Sequence, residues 1–175
     1  MNSSRQTALH FPICPVNVML KSMKRKNLLG LAAALLLVTC TGVKAQEAGY
    51  WRASSKTAQS ITGDVALSDA QISINFYTYS MARARDLAPA EISSVFDADS
   101  NANIKAHLYG LNIPSTKKFL HKNTLCGTED VRWMAAYVDG RSLNIAFFSG
   151  AKAPTFTQDA IANSTDLCGT YTYTR

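Results

Sequence analysis

Residues 131–149, VRWMAAYVDGRSLNIAFFS, decide the fold class of this chain. Asp139-Gly140 lies between two apolar-rich runs and is a signal for a type I′ turn, so the stretch predicts an antiparallel hairpin. A two-residue turn there pairs Val138 with Arg141 and Arg132 with Phe147. Neither face of the hairpin is cleanly polar, which indicates strands buried in the middle of a barrel or sandwich, or an aromatic surface offered to a partner.

Three aromatic side chains of this hairpin, Trp133, Tyr137 and Phe148, are the candidates for a surface that binds a ligand or a partner. Interfaces are enriched in such residues. Hydrophobic cores use them too, so a core position is the alternative interpretation.

Period-two alternation extends this β pattern to other parts of the chain. Residues 71–85 alternate over an unusual length, which predicts one long half-buried strand with a bend near Ser80. Residues 104–113 and 169–175 are further strand candidates. Pro89 and the apolar stripe Ile92, Val95 and Phe96 predict one short helix over about 89–96. The fold class is therefore mainly β, a small antiparallel barrel or sandwich with one short helix.

Residues 1–45 have the layout of a cleavable signal peptide, with Met23 as the expected true start. Lys24, Arg25 and Lys26 precede the apolar run 28–38, and the predicted cleavage falls after Ala45. That run has eleven residues, whereas a membrane span needs roughly 20, so an anchor is the weaker alternative. Lipid attachment at Cys40 is another alternative. Residues 46–175 then form a single exported β domain, periplasmic or extracellular.

The basic character of the chain belongs to this leader. All of the net charge of +6 comes from residues 1–45, because residues 46–175 hold twelve Lys or Arg and twelve Asp or Glu. A nucleic-acid partner is therefore not expected, since such proteins carry a basic footprint on the folded domain.

Two cysteines remain in residues 46–175, Cys126 and Cys168. A single pair in an oxidising compartment predicts a disulfide. We expect it to connect the segment that enters the 131–149 hairpin to the last strand.

Enzymatic chemistry has little support in the sequence. His107 and His121 are the histidines of residues 46–175, and neither lies in a nucleophile, zinc or phosphate-loop motif. No metal and no cofactor are expected. The alternative function is a small secreted hydrolase or metal-dependent enzyme that uses both histidines. His121 also belongs to a basic stretch, residues 117–122, which is either a solvated loop or a contact for anions.

Gly49, Tyr50 and Trp51 resemble the G-x-W opening of lipocalins, and Arg175 is a second similarity. The resemblance implies a barrel whose base is plugged by the tryptophan, and it implies no particular ligand. Together these observations predict an exported, non-enzymatic β domain that binds a protein partner or a small apolar ligand in the cell envelope.

Overall fold

The fold is an eight-stranded antiparallel barrel, seen in a computed structural model that describes residues 46–99 and 105–175. The predicted leader, residues 1–45, lies outside the described residues. The strands pair in chain order, and β1 pairs with β8, so the sheet is closed. The elements are β1 Gly49–Ala53, α1 Lys56–Ile61, β2 Val65–Leu67, β3 Gln71–Ile74, β4 Tyr77–Asp86, α2 Pro89–Phe96, β5 Ala106–Ile113, a 3₁₀ turn at Leu120–Lys122, β6 Val131–Asp139, β7 Ser142–Phe148, α3 Gln158–Ala162 and β8 Leu167–Thr174.

The predicted helix at 89–96 is confirmed, but it is one of three short α-helices. Hydrogen bonds at their first turns stabilise all three. The side chain of Ser55 accepts from the Ala58 N–H, and that of Thr157 accepts from the Ala160 N–H. In α2 the Glu91 carboxylate accepts from the Ala88 N–H at 2.8 Å. The expectation of a single helix was wrong because five- and six-residue helices are too short to show an apolar stripe.

The predicted hairpin is confirmed as β6 and β7, but its register is displaced. Val138 pairs with Leu143, and Met134 pairs with Phe147, so the prediction that Arg132 pairs with Phe147 was wrong. Gly140 adopts a φ of +56° and begins the turn one residue later than predicted. Each partner shifts by two residues, so every side chain keeps the face it was assigned.

Both faces of this hairpin are buried, which is the first of the two arrangements that the mixed pattern allowed. One face points into the barrel, where large side chains fill the interior. The other packs beneath α2 and the β7–β8 connection in a second core. An eight-stranded barrel is just wide enough for side chains to fill it, and this one is filled. Its fully buried interior residues include Trp51, Ile72, Ile74, Tyr109, Met134, Leu143, Phe147, Tyr171 and Tyr173.

Residues 71–85 form two strands, and the expectation of one long strand bent near Ser80 was wrong. A two-residue turn at Asn75 and Phe76 separates β3 from β4, with Ile74 paired to Tyr77. The turn changes which positions face inward. Apolar side chains point into the barrel at even positions before the turn and at odd positions after it, namely Ile72, Ile74, Tyr79 and Met81.

Trp51 lies in the core inside the barrel, near the first described residues. Its indole N–H donates to the Glu47 carbonyl at 2.8 Å. The Arg175 guanidinium lies over the indole ring, 4.3 Å from its centre. Trp51 and Arg175 are therefore in direct contact, and a cation–π interaction stabilises the contact.

The predicted disulfide joins Cys126, in the β5–β6 connection, to Cys168 at the start of β8. That connection packs Phe119 and Leu125 against the interior core, together with Ala58 of α1. We call this the disulfide end of the barrel. At the amino-terminal end lie Gly49 and the β6–β7 turn. Among the described residues, no helix has the length and apolar character needed to cross a membrane.

Candidate partner-binding surface

The three aromatic candidates from the hairpin lie in the second core. Phe148 is buried and meets the ring of Phe156 at 5.7 Å, and Tyr137 is buried against Phe96 at 4.9 Å. Trp133 is half-buried, and its indole N–H donates to the Gly150 carbonyl at 3.0 Å. These positions fit the alternative interpretation, in which the three aromatic side chains belong to a hydrophobic core.

The two candidate histidines lie at opposite ends of the barrel. His107, at the start of β5, is buried, and its Nδ1 contacts the buried carboxylate of Glu47. His121 is exposed at the disulfide end, where its Nδ1 lies 3.2 Å from the Ser60 carbonyl oxygen. The rise along β5 alone separates its two ends by roughly 20 Å. One site cannot use both histidines, and no cluster of three or more metal-ligating side chains occurs within residues 46–99 and 105–175.

The turn between β3 and β4 presents an aromatic side chain in an unfavourable backbone conformation. Asn75 and Phe76 have φ values of +45° and +69°, the combination that a type I′ turn requires. Asparagine tolerates this conformation, but for a bulky residue such as phenylalanine it is an outlier. The Phe76 side chain is nevertheless fully exposed, so no burial compensates for the strain.

Three aromatic side chains of the described residues are exposed, and two of them share a groove, while Tyr77 lies outside it and contacts Phe119 and Lys117. Among the described residues, the large hydrophobic side chains that remain exposed are Tyr50, Phe76 and Tyr77. We call these three residues the aromatic surface. Tyr50 and Phe76 line the same groove of about 390 Å³, and Leu120 from the 3₁₀ turn forms part of its wall. Apolar side chains that stand around a concave groove mark an interaction site more strongly than scattered ones do.

Tyr50 is held in place by a strong hydrogen bond. Its hydroxyl donates to Oδ2 of Asp64 at 2.5 Å, and Oδ1 of the same carboxylate accepts from the Ala53 N–H at 2.9 Å. These two bonds lower the pKa of Asp64, and the bond to the carboxylate raises the pKa of Tyr50. The ring is therefore oriented before any partner arrives, which reduces the entropy lost on binding.

Tyr77 connects the aromatic surface to the basic stretch 117–122. The ammonium of Lys117 lies 4.8 Å from the Tyr77 ring centre, and the ring of Phe119 meets Tyr77 edge-on at 6.4 Å. Lys118, His121 and Lys122 are exposed beside this contact. Lysine over tyrosine is an attractive pair, so this cation is also oriented.

A larger cleft of about 900 Å³ lies between residues 128–132, which come after Cys126 in the chain, and the β7–β8 connection. Its charged residues are Glu129, Asp130, Arg132 and Asp166. Asp130 accepts from the Ser115 N–H at 2.9 Å and pairs with Arg132 at 3.2 Å. The backbone bond lowers the pKa of Asp130. This carboxylate is thus engaged within the domain.

Sequence reasoning missed the aromatic surface, although a signal for it was present. The change of large side chains from even positions at Ile72 and Ile74 to odd positions at Tyr77 and Tyr79 marks a turn between them. An Asn-Phe pair is not a typical turn sequence, so residue identity concealed it. Comparison of the chain with models of protein families, with curated proteins and with solved structures gave no match.

Proposed function

We propose that this protein is an exported, non-enzymatic binding module that recognises a protein partner through the aromatic surface. The observation that carries the proposal is Phe76, a fully exposed aromatic side chain held in a strained turn. Strained conformations persist where function requires them and cluster at binding sites. Exposed aromatics on rigid supports are the residues that dominate binding energy at protein interfaces.

The filled interior favours a protein partner over a small apolar ligand inside the barrel. Tyr109, Tyr171 and Tyr173 are fully buried there, and Thr62 and Tyr173 exchange a buried hydrogen bond at 2.8 Å. Burial raises the pKa of Tyr171 to about 12. A ligand would have to displace packed aromatic rings, which costs several kcal/mol for each large side chain moved. The Cys126–Cys168 bond is compatible with export to an oxidising compartment.

Site-specific photocrosslinking tests the proposal. A photoreactive phenylalanine analogue replaces Phe76, and a matched variant carries it at Ala151, an exposed position beside the larger cleft. Each protein is exported by its native host and irradiated there. We expect a discrete protein adduct at position 76 and none at position 151.

Two results would overturn the proposal. One is the absence of a protein adduct at position 76, and the other is equal adduct formation at both positions. Native mass spectrometry of the purified unmodified protein addresses the ligand alternative. A bound small molecule that is retained after Phe76→Ala would assign the function to the barrel interior instead.

A further inference from the structure

We infer that the partner presents an apolar pocket bordered by carboxylates, so that the aromatic surface inserts while the basic side chains around it pair with the border. The inference rests on the proposed function and specifies the chemistry of the partner. It follows from where the cations of this domain lie relative to Tyr50, Phe76 and Tyr77.

Cations flank the aromatic surface on two sides. On one side the basic stretch supplies Lys117, stacked on Tyr77, together with the exposed Lys118 and Lys122. On the other side Tyr50 lines a second depression of about 470 Å³. The other residues of this depression are Arg52, Arg141, Thr174 and Arg175. Tyr50 therefore stands between a groove and a depression with three arginines.

The arginines of the depression are engaged within the domain. Arg141 donates to the Arg175 backbone oxygen at 2.5 Å, and the Arg175 guanidinium lies over the Trp51 ring. The pKa of Asp64 is lowered by its two hydrogen bonds and, to a smaller extent, by the charge of Arg52. The exposed lysines of the basic stretch therefore carry the inference.

The ion pairs described for residues 46–99 and 105–175 use Arg83, Arg85, His107 and Arg132. Asp64, which also lines the groove, is occupied by the Tyr50 hydroxyl and the Ala53 N–H. Residues 46–175 carry equal numbers of positive and negative charges. The cations near the aromatic surface therefore reflect where the charges lie in the fold and not a net charge of the domain.

Carboxylates line the larger cleft rather than the exposed part of the basic stretch. The cleft carries Glu129, Asp130 and Asp166 together with Arg132, whereas Leu120 of the basic stretch lies in the wall of the groove. Local charge of this kind orients an approaching charged partner, which raises the rate of productive encounters.

Backbone strain is concentrated on the same side of the molecule. Five non-glycine residues have positive φ within the described ranges, and four of them adjoin the groove. Asn75 and Phe76 form the turn, while His121 and Lys122, at +53° and +63°, follow Leu120 in the groove wall. Residues other than glycine adopt this conformation at a cost in stability, which is smallest for asparagine. Two separate segments therefore present an aromatic or basic side chain beside one groove at a cost in stability.

A protein partner fits these features better than an anionic membrane does. The groove between Tyr50, Phe76 and Leu120 is concave, so it accepts a protruding side chain in return while Phe76 enters the partner. Hot spots of two proteins pair in this way, whereas a lipid surface offers no protruding group of fixed shape. Binding to anionic lipid is therefore treated as an outcome that would contradict the inference.

Charge reversal with the photoreactive probe at position 76 tests the inference. The probe protein is titrated into the native exported fraction, and the concentration that gives half-maximal adduct is measured. Lys118→Glu with Lys122→Glu is compared with a control matched in charge, Lys105→Glu with Lys152→Glu, whose lysines are exposed away from the groove. We expect the first pair to raise the half-maximal concentration about tenfold or more and the control to change it less than about twofold.

Salt and lipid complete the design. We expect adduct formation by the unreversed probe protein to weaken as salt rises from about 50 mM to about 500 mM, since screening shortens the reach of these charges. Equal effects of the two charge-reversed pairs, or no effect of either, would overturn the inference. Binding of the protein to phosphatidylglycerol vesicles that is lost with Lys118→Glu and Lys122→Glu would also overturn it. Failure to form any adduct at position 76 would instead overturn the proposed function itself, so the two failures are distinguishable.

Discussion

Replacement of Phe76 by glycine should stabilise the protein and abolish partner binding at the same time. The Phe76 side chain is fully exposed and lies in the left-handed region with a φ of +69°. Relief of this conformation is worth roughly 1–2 kcal/mol. Glycine has more conformational freedom in the unfolded chain, and this lowers the gain in stability by about 0.5–1 kcal/mol. The net increase in the free energy of unfolding is therefore about 0–1.5 kcal/mol, with a central value of about 0.8 kcal/mol.

The increase should be visible in two measurements. Urea unfolding followed by circular dichroism should show a higher midpoint at an unchanged slope, because the native surface is the same apart from one exposed ring. The melting temperature should rise by roughly 2–4 °C. Phe76→Ala is the matched control, since it removes the ring and keeps the Cβ strain. Its stability should stay within about 0.5 kcal/mol of the original.

Loss of stability in Phe76→Gly would refute this reasoning, because it would mean that the ring supports the turn. The expected pair of results, higher stability with lost binding, is the signature of a residue kept for function at a structural cost. Phe76→Ala should lose binding as well, and this separates the role of the ring from that of the backbone.

Three further perturbations test other parts of the structure. Replacing both disulfide cysteines by serine should lower the free energy of unfolding by about 4 kcal/mol, because the bond closes a loop with a sequence separation of 42 residues. The measurement is urea unfolding compared with the oxidised protein. A loss below about 1 kcal/mol would show that packing alone holds the connection. His107→Leu should cost about 3 kcal/mol or more, since it leaves the buried Glu47 carboxylate without its partner, whereas the double change with Glu47→Leu should recover much of this loss in the same assay. The lowered pKa of Asp64 means that its contribution to stability is present above its ordinary value of 3.8 and is lost as the pH falls through the lower value of the folded state. Tyr50→Phe should therefore raise the Asp64 pKa in an NMR titration of the carboxyl carbon, and an unchanged pKa would contradict the hydrogen bond.

The elements that sequence reasoning predicted correctly are those with a strong local pattern. The helix over 89–96 was recognisable from Pro89 and its apolar stripe, and α2 occupies the same residues. The hairpin of β6 and β7 followed from Asp139-Gly140 between two apolar runs. The disulfide followed from the cysteine count and the expected oxidising compartment. For the helix and the hairpin, neighbours in the chain carry the information.

The parts that were missed depend on contacts between distant residues. Helices α1 and α3 have five or six residues and gain their stability from packing rather than from propensity. The turn at Asn75 and Phe76 forms because the β3–β4 pairing outweighs the strain of an aromatic residue at positive φ. The shift of large side chains from even to odd positions marks a turn in the sequence, but whether Phe76 faces solvent depends on that pairing.

The sequence by itself determined the β class, the helix at 89–96, the hairpin over 131–149 and the disulfide partners. A period of two residues and a turn signal are local properties, and two cysteines allow a single pairing, so these features do not depend on the rest of the fold. Only the tertiary structure decided that β1 and β8 close the barrel and that α2 and the β7–β8 connection cover Trp133, Tyr137 and Phe148. Alternation tells two faces of a strand apart, but which face meets solvent depends on what else packs there. For that reason the aromatics of the hairpin became core, and Tyr50, Phe76 and Tyr77 became the surface.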